Sequence, residues 1–410
     1  MEATATLAAA KHVLLLAAVV LGSGAVCSFI AQRTRVPDIV LYLLAGILLG
    51  PAVSGMVMLP ANSTLGQLIL VFGASYILFD GGASLRLAVL KRIWITVITI
   101  STVGVLVTAS VTALAAHYIL QLAWLPSMLL GSVIASTDPA TLIPVFKQVR
   151  VRERLAQAVT SESAFNDAMG AILTFTVLGI ALGVQQFSLS ASLLALLMQA
   201  GIGIISGSVL GYLAAFLIGH QRYGFFRDYA PLVTLMAVVG AYLGADDMHA
   251  SGFMAVFVAG IIIGNRELFG FQLDPQETRR LVEYVDITSL VMRVFIFVLL
   301  GSQVNFHLIG AHLWTSLLVV LIFILVARPL TVLLCAAPDR RARWSGRELL
   351  FMCWTRETGV IPGALAGLLV GSGAPSADII ATVTFVAILV TILVQATTTR
   401  WLATRLDLMQ

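Results

Sequence analysis

The 410-residue sequence predicts an all-α polytopic membrane protein, and three observations carry that reading. Charged residues make up 11% of the chain and hydrophobic residues 59%, whereas soluble domains carry about 25% charged residues. Segments such as Ile93 to Tyr118, Leu193 to Gly219 and Ile379 to Thr399 contain no Lys, Arg, Asp or Glu, and about 20 apolar residues cross the hydrocarbon core as a helix. The longest polar stretch runs only from Asn265 to about Glu283. No soluble regulatory domain is therefore expected. Membrane lipid is the expected surrounding, and nucleic acid is not an expected partner.

Polar breaks divide the chain into thirteen candidate spans, at about 12–31, 38–58, 64–85, 93–119, 125–146, 155–182, 190–219, 229–245, 250–264, 283–302, 309–337, 348–372 and 377–399. The first resembles the apolar core of a secretory leader, but it is longer and leads through Arg33, Arg35 and Pro37 into a second apolar segment, so it reads as a retained helix. The eighth and ninth are short. Charge supports the division, because connections kept in the cytoplasm carry excess Lys and Arg. The odd-numbered connections and the segment after the last span hold twenty of the twenty-four basic residues, and the even-numbered ones hold none. An odd number of spans follows, with the N-terminus outside and the C-terminus cytoplasmic. Arg293, Arg328 and Arg356 fall inside spans and need partners there.

The fifth span contains Ser136-Thr137-Asp138-Pro139, and the twelfth contains Thr355-Arg356-Glu357-Thr358-Gly359 with Pro362. Proline removes a backbone donor and clashes with the preceding turn. In a bilayer the freed groups are tolerated only against protein or a water-filled cavity. Two interrupted helices at matched positions of two halves are the sequence sign of a transporter built from inverted repeats. Spans one to six and eight to thirteen make such repeats, with the seventh as connector.

The sixth span carries Glu162, Ser163, Asn166 and Asp167. A carboxylate at the bilayer centre costs roughly 2.5–3.5 kcal/mol on insertion scales, so such residues usually line an ion or substrate path. Desolvation and a nearby like charge both disfavour the ionised carboxylate. Asp167 can then take a proton or a cation on the same oxygens, while a paired Glu162 stays ionised. Asp80, Asp138, Glu162, Asp167 and Glu357 are the deep acids, with Asp286 shallower, and they outnumber the three buried arginines. A bound cation or proton makes up the difference.

Several short motifs, spread in order along almost the whole chain, resemble the NhaP and NHE branch of the monovalent cation:proton antiporters, cation:proton antiporter family one. They are Pro37 to Pro51 (PDIVLYLLAGILLGP), a Phe79-Asp80-Gly81-Gly82 turn, Thr137-Asp138-Pro139-Ala140, Glu162-Ser163 with Asn166-Asp167, Ser251-Gly252 followed by Ala259-Gly260, Phe297 to Gly301, and Arg328-Pro329. The resemblance implies an NhaA-like antiporter fold of two inverted six-helix repeats whose broken helices cross. It also implies a homodimer. A dimerisation domain would comprise residues 1–92 and 221–304, a moving core residues 93–183 and 305–410, and a linker helix residues 184–220.

By position, the resemblance makes Asp167 the shared cation and proton ligand, Glu162 and Ser163 accessory ligands, Thr137 a ligand through its unwound backbone, and Arg328 the buried partner of Glu162. The transported cation, Na⁺ or K⁺ and possibly Li⁺, would rest on Asp167, Ser163 and Thr137. Asp138, Asp80, Arg356 and Glu357 would form the supporting charge network. The electrogenic branch has a second aspartate where Asn166 stands, so one proton would exchange for one cation without net charge movement. Residence in a prokaryotic plasma membrane follows from the same resemblance.

The twelfth span departs from the family pattern. Thr358 stands where an arginine is usual, and Arg356 lies two positions earlier, within reach of Asp80, Asp138 or Glu357. Ion choice is therefore open.

A cation channel using the same acids is disfavoured by the lack of a repeated carbonyl filter. An organic-anion symporter would need a polar cavity that no Asn or Gln cluster marks. No nucleophile and base arrangement, cofactor loop or His pair suggests an enzyme or a resident cofactor. Cys27, Cys335 and Cys353 lack metal-ligand spacing and read as small buried hydrophobes. The six histidines fall near span ends.

Overall fold

The structure is a computed structural model that describes residues 2–34, 36–60, 62–137, 146, 151–184 and 188–409. Asp138, Pro139, Arg35, Lys147 and Arg150 lie outside the described residues. The helices are α1 (Glu2–Thr34), α2 (Asp38–Leu49), α3 (Thr64–Ala83), α4 (Leu87–Ile119), α5 (Trp124–Ile134), α6 (Glu153–Ala181), α7 (Leu189–Gly219), α8 (Ala230–Asp246), α9 (Gly252–Gly264), α10 (Pro275–Ser302), α11 (Phe306–Cys335), α12 (Gly346–Trp354), α13 (Val360–Gly371) and α14 (Ala377–Arg405). Among the described residues nine helices are long and apolar enough to cross a membrane, and α2, α5, α9 and α13 are shorter apolar helices. The protein is an all-helical polytopic membrane protein. Many large apolar side chains face outward, such as Leu197 at 72% exposure, as expected where lipid is the solvent.

Three sequence expectations change. The second span, expected to reach residue 58, ends at Leu49 because Gly50 turns extended (φ −74°, ψ 175°) before Pro51. The residue before a proline is pushed out of the α region. The polar stretch before the tenth span is largely helix: Pro275 opens α10, and Glu277 accepts the Asp274 N–H at 3.0 Å, which suits a ring lacking its own donor. The Phe79-Asp80-Gly81-Gly82 motif is the last part of α3 and not a turn. Its glycine serves packing, since a Cβ on Gly82 would strike the Phe257 carbonyl of α9 and one on Gly260 would strike the Phe79 carbonyl. Small residues of this kind let membrane helices approach closely. Ser251 of the neighbouring motif caps α9 by accepting the Met254 N–H at 3.1 Å.

Several arginine-bearing connections meet one another. Asn265 bonds the Leu85 carbonyl and the Leu87 N–H at 2.8 and 3.2 Å, and Arg154 bonds Glu348 at 2.9 Å and the Ala342 carbonyl at 2.6 Å. Arg86 lies 3.8 Å from Glu153, and Val151 pairs with Met409. A cleft of about 680 Å³ between residues 51–60 and 302–307 joins the connections that follow α2 and α10, and no Lys or Arg lines it. The basic connections that touch one another are thus separate from the Lys- and Arg-free connections around this cleft.

Among the basic connections, Asp339 is buried in the turn between α11 and α12. It accepts the Thr96 hydroxyl at 2.5 Å and backbone N–H groups of Thr96, Arg341 and Ala342 at 3.1, 2.9 and 3.1 Å. Burial alone would raise its pKa, but these donors outweigh burial and hold it below the ordinary 3.8. A depressed folded-state value stabilises the fold at pH above the unfolded value, and that contribution is lost as pH falls through the folded one. Asp339→Asn is expected to lose about 1–3 kcal/mol at neutral pH. The gap from wild type should shrink below pH 3.8, as read from thermal unfolding across an acid series.

Candidate functional site

At 100° per residue, Glu162, Asn166, Ser163 and Asp167 occupy a continuous arc of about 140° on α6. All four are buried in the protein interior. Glu162 sits at one edge of the arc and Asp167 at the other, with the two neutral residues between them.

Arg328 of α11 meets Glu162 through both guanidinium nitrogens, with Nη1 donating to Oε1 and Nη2 donating to Oε2 at 2.9 Å. Its Nε donates to the Met352 carbonyl at 2.8 Å. The planar fork of arginine matches a carboxylate in this bidentate way. Local sequence sets its position. Phe323–Ala327 form a π-helical turn directly before Arg328-Pro329, a widened turn that absorbs the donor missing at Pro329 and re-aims the next residue.

The chain leaves helix after α5, and Thr137 lies against α6. Its N–H donates to Asn166 Oδ1 at 3.1 Å, its hydroxyl donates to Ser163 Oγ at 3.0 Å, and Asn166 Nδ2 donates to Thr137 Oγ1 at 2.7 Å. Asn166 is thus the clamp on the broken segment, a role its position in sequence did not disclose. Gly170, one turn beyond Asn166, leaves room for Ser136, which a Cβ there would strike. In this cluster Thr137 Oγ1 and Ser163 Oγ each accept one bond, and a hydroxyl oxygen carries two acceptor lone pairs. Oxygen lone pairs beside a carboxylate suit a hard cation.

The second interruption lies between α12 and α13, where Thr355, Arg356, Glu357 and Thr358 are all buried. Arg356 Nη2 donates to the Ala135 carbonyl at the end of α5, and Nη1 donates to Thr108 at 3.0 Å. Its guanidinium also stacks 4.9 Å above the Phe323 ring. A cation at a helix C-terminus satisfies an orphan carbonyl and complements the dipole. Sequence reasoning offered Asp80, Asp138 or Glu357 as partners for Arg356, and Asp138 lies outside the described residues. Through its bond to the carbonyl at the end of α5, Arg356 is a link between the two breaks. It stands within electrostatic range of Glu162, Asp167 and Arg328.

Pro362, read from sequence as part of the interruption, lies in the first turn of α13, where its missing N–H goes unnoticed. Glu357 lies within the break, and Asp80 is half-buried on α3 beside Gly81, where an added Cβ would lie 3.5 Å from Ala164 of α6. Asp138 falls outside the described residues.

Two side chains that sequence reasoning missed hold the second break. Thr391 Oγ1 accepts the Thr358 N–H at 3.0 Å, and Gln395 Nε2 donates to the Trp354 carbonyl at 2.6 Å. Both lie in a π-helical segment of α14, Thr391–Ala396. The signal was present: Thr391, Gln395 and Thr398 recur at helical spacing in an otherwise apolar helix. Thr398 in turn accepts from Trp354 Nε1 at 2.8 Å.

Helix ends that meet inside an apolar bundle, beside buried carboxylates, are the arrangement of a membrane transporter. The chain belongs to the sodium/hydrogen exchanger family of transmembrane proteins, whose profile matches residues 16–405. It is 34% identical over 360 residues to Na(+)/H(+) antiporter 1 of Methanocaldococcus jannaschii, covering 85% of this chain and 80% of that protein. It is 30% identical over 383 residues to the K(+)/H(+) antiporter NhaP of Alkalimonas amylolytica, covering 92% of this chain and 64% of that one, so it spans just under two thirds of that relative's length. The solved structure of the sodium proton antiporter MjNhaP1 from Methanocaldococcus jannaschii superposes with a TM-score of 0.82 at 29% identity, over 94% of this chain and 99% of that chain.

Proposed function

We propose that this protein exchanges one monovalent cation for one proton at Asp167, without net charge movement. The observation that carries the reading is the clamped Thr137: an unwound segment held by Ser163 and Asn166 against the face of α6 that also bears Asp167. Glu162 is committed to Arg328, and Ser163 and Asn166 carry no charge. Asp167 is thus the carboxylate of this face that can alternate between a proton and a cation, with Ser163 and Thr137 as further oxygen ligands. Asn166 cannot carry a second proton, which supports electroneutrality.

Na⁺ and K⁺ are the favoured cations, with Li⁺ as a further candidate, since relatives are named Na(+)/H(+) and K(+)/H(+) antiporters. In this reading the chain makes thirteen spans, α12 and α13 forming one, arranged as two inverted six-helix repeats about α7. Residues 93–183 and 305–410 move as the ion-carrying core of an elevator. Residues 1–92 and 221–304 form the dimer contact, and residues 184–220 form the link. The basic face is cytoplasmic, the N-terminus external, and the setting a prokaryotic plasma membrane.

In proteoliposomes carrying an acidic interior and a pH-gradient dye, addition of NaCl or KCl is expected to dissipate the gradient. The rate should be the same at zero and at imposed membrane potential. No response to Na⁺, K⁺ or Li⁺ overturns the exchange reading, and a rate that follows the potential overturns electroneutrality.

A further inference from the structure

A groove of about 300 Å³ opens on the outside of the bundle between α11, α12 and α14, lined by Leu325, Pro329, Leu350, Cys353, Thr398 and Trp401. Its walls include exposed apolar side chains, Trp401 at 66% and Leu350 at 53%. Its floor contains Pro329, the neighbour of the Arg328 that holds Glu162.

The end of the groove nearest the basic face carries positive charge. At about 100° per residue, Thr398, Trp401, Leu402 and Arg405 share one face of α14, and Arg347, Leu350 and Trp354 share one face of α12. Arg347 and Arg405 therefore each stand one turn beyond a groove-lining residue, toward the basic side. Arg347 is 67% exposed and lies 3.8 Å from Asp407, which is two residues from Arg405, so the ends of both helices converge there. An exposed tryptophan at such a boundary matches the amphipathic position that indole prefers in membranes. An apolar slot with two arginines at its interfacial end is complementary to one acyl chain and one phosphate.

We propose that this groove binds an anionic phospholipid of the leaflet on the basic side, with an acyl chain against Leu350 and Trp401 and the phosphate between Arg347 and Arg405. Juxtamembrane Arg and Lys each favour anionic lipid enough that two of them give a preference on the order of tenfold over a zwitterionic lipid.

The test uses the full chain in bilayers containing brominated phosphatidylglycerol or brominated phosphatidylcholine, each titrated over the same range of mole fractions. The Trp401 signal is the difference between wild type and Trp401→Phe. Brominated phosphatidylglycerol is expected to quench Trp401 at about tenfold lower mole fraction than brominated phosphatidylcholine, and Arg347→Gln/Arg405→Gln should equalise the two. Equal quenching in the wild type, or a preference that survives the double substitution, overturns the proposal. Absence of quenching by either lipid, with Cys353 of two copies crosslinking, overturns it in favour of a second copy in the groove.

Discussion

Asp167→Asn is expected to reduce cation-driven proton movement in proteoliposomes to the level of protein-free vesicles, a loss of about 100-fold or more, equivalent to about 2.7 kcal/mol. The substitution keeps the shape of the side chain and removes its charge and its exchangeable proton. Asn166 and Ser163, on the same face, cannot substitute because neither titrates in the working range. Glu162 cannot substitute while Arg328 occupies both its oxygens. Metal affinity that requires a deprotonated ligand falls with pH, so in the wild type the apparent cation affinity should weaken as the medium is acidified. Asp167→Glu should retain measurable exchange with shifted cation affinity. Full exchange by a monodisperse Asp167→Asn protein would remove Asp167 from the mechanism.

Arg328→Met and Glu162→Gln form the second large effect, this time on stability. Both side chains are almost completely buried, at 1% and 2% exposure. Removing one partner of a buried ion pair leaves the other uncompensated and costs about 3–5 kcal/mol. Arg328→Met also deprives the Met352 carbonyl of its donor, so it should be the more damaging of the two. The double variant Glu162→Gln/Arg328→Met buries no net charge and should recover most of the loss. Arg328→Lys should recover only part, because an ammonium is a point charge that cannot match both carboxylate oxygens and the carbonyl at once. Thermal unfolding in detergent, followed by tryptophan fluorescence across the four variants, reads the coupling directly. Additive losses in the double variant would show that the two groups are not energetically paired.

Both effects converge on α6, and the sequence shows why only part of this was legible beforehand. Glu162 and Asp167 announce themselves because charge inside an apolar run is anomalous on its own. The breaks after α5 and α12 are visible because a proline with flanking polar residues is a local signal. The pairing of Arg328 with Glu162 spans 166 residues, and only the family resemblance suggested it. Arg356 was harder still. One of its acceptors is the Ala135 main-chain carbonyl, and no residue type in a sequence advertises a carbonyl at a helix end. Thr391 and Gln395 were hidden for a related reason: in a helix that reads as apolar they pass for tolerated polar residues until their partners, the Thr358 N–H and the Trp354 carbonyl, are seen to be freed.

By itself the sequence determined the class of the protein, the alternation of its basic connections, the places where two helices fail and the buried carboxylates of α6. All of these depend on composition and periodicity within about 20 residues, the length over which the bilayer tests each segment for hydrophobicity. Only the tertiary structure decided what satisfies the broken backbone, that Asn166 clamps Thr137, that Arg356 joins the two interruptions, and that the Phe79 to Gly82 motif is a helix packed on Gly260. Those outcomes depend on which polar groups remain unpaired once the helices have packed. A buried hydrogen-bonding group accepts whatever partner the packing brings within about 3 Å.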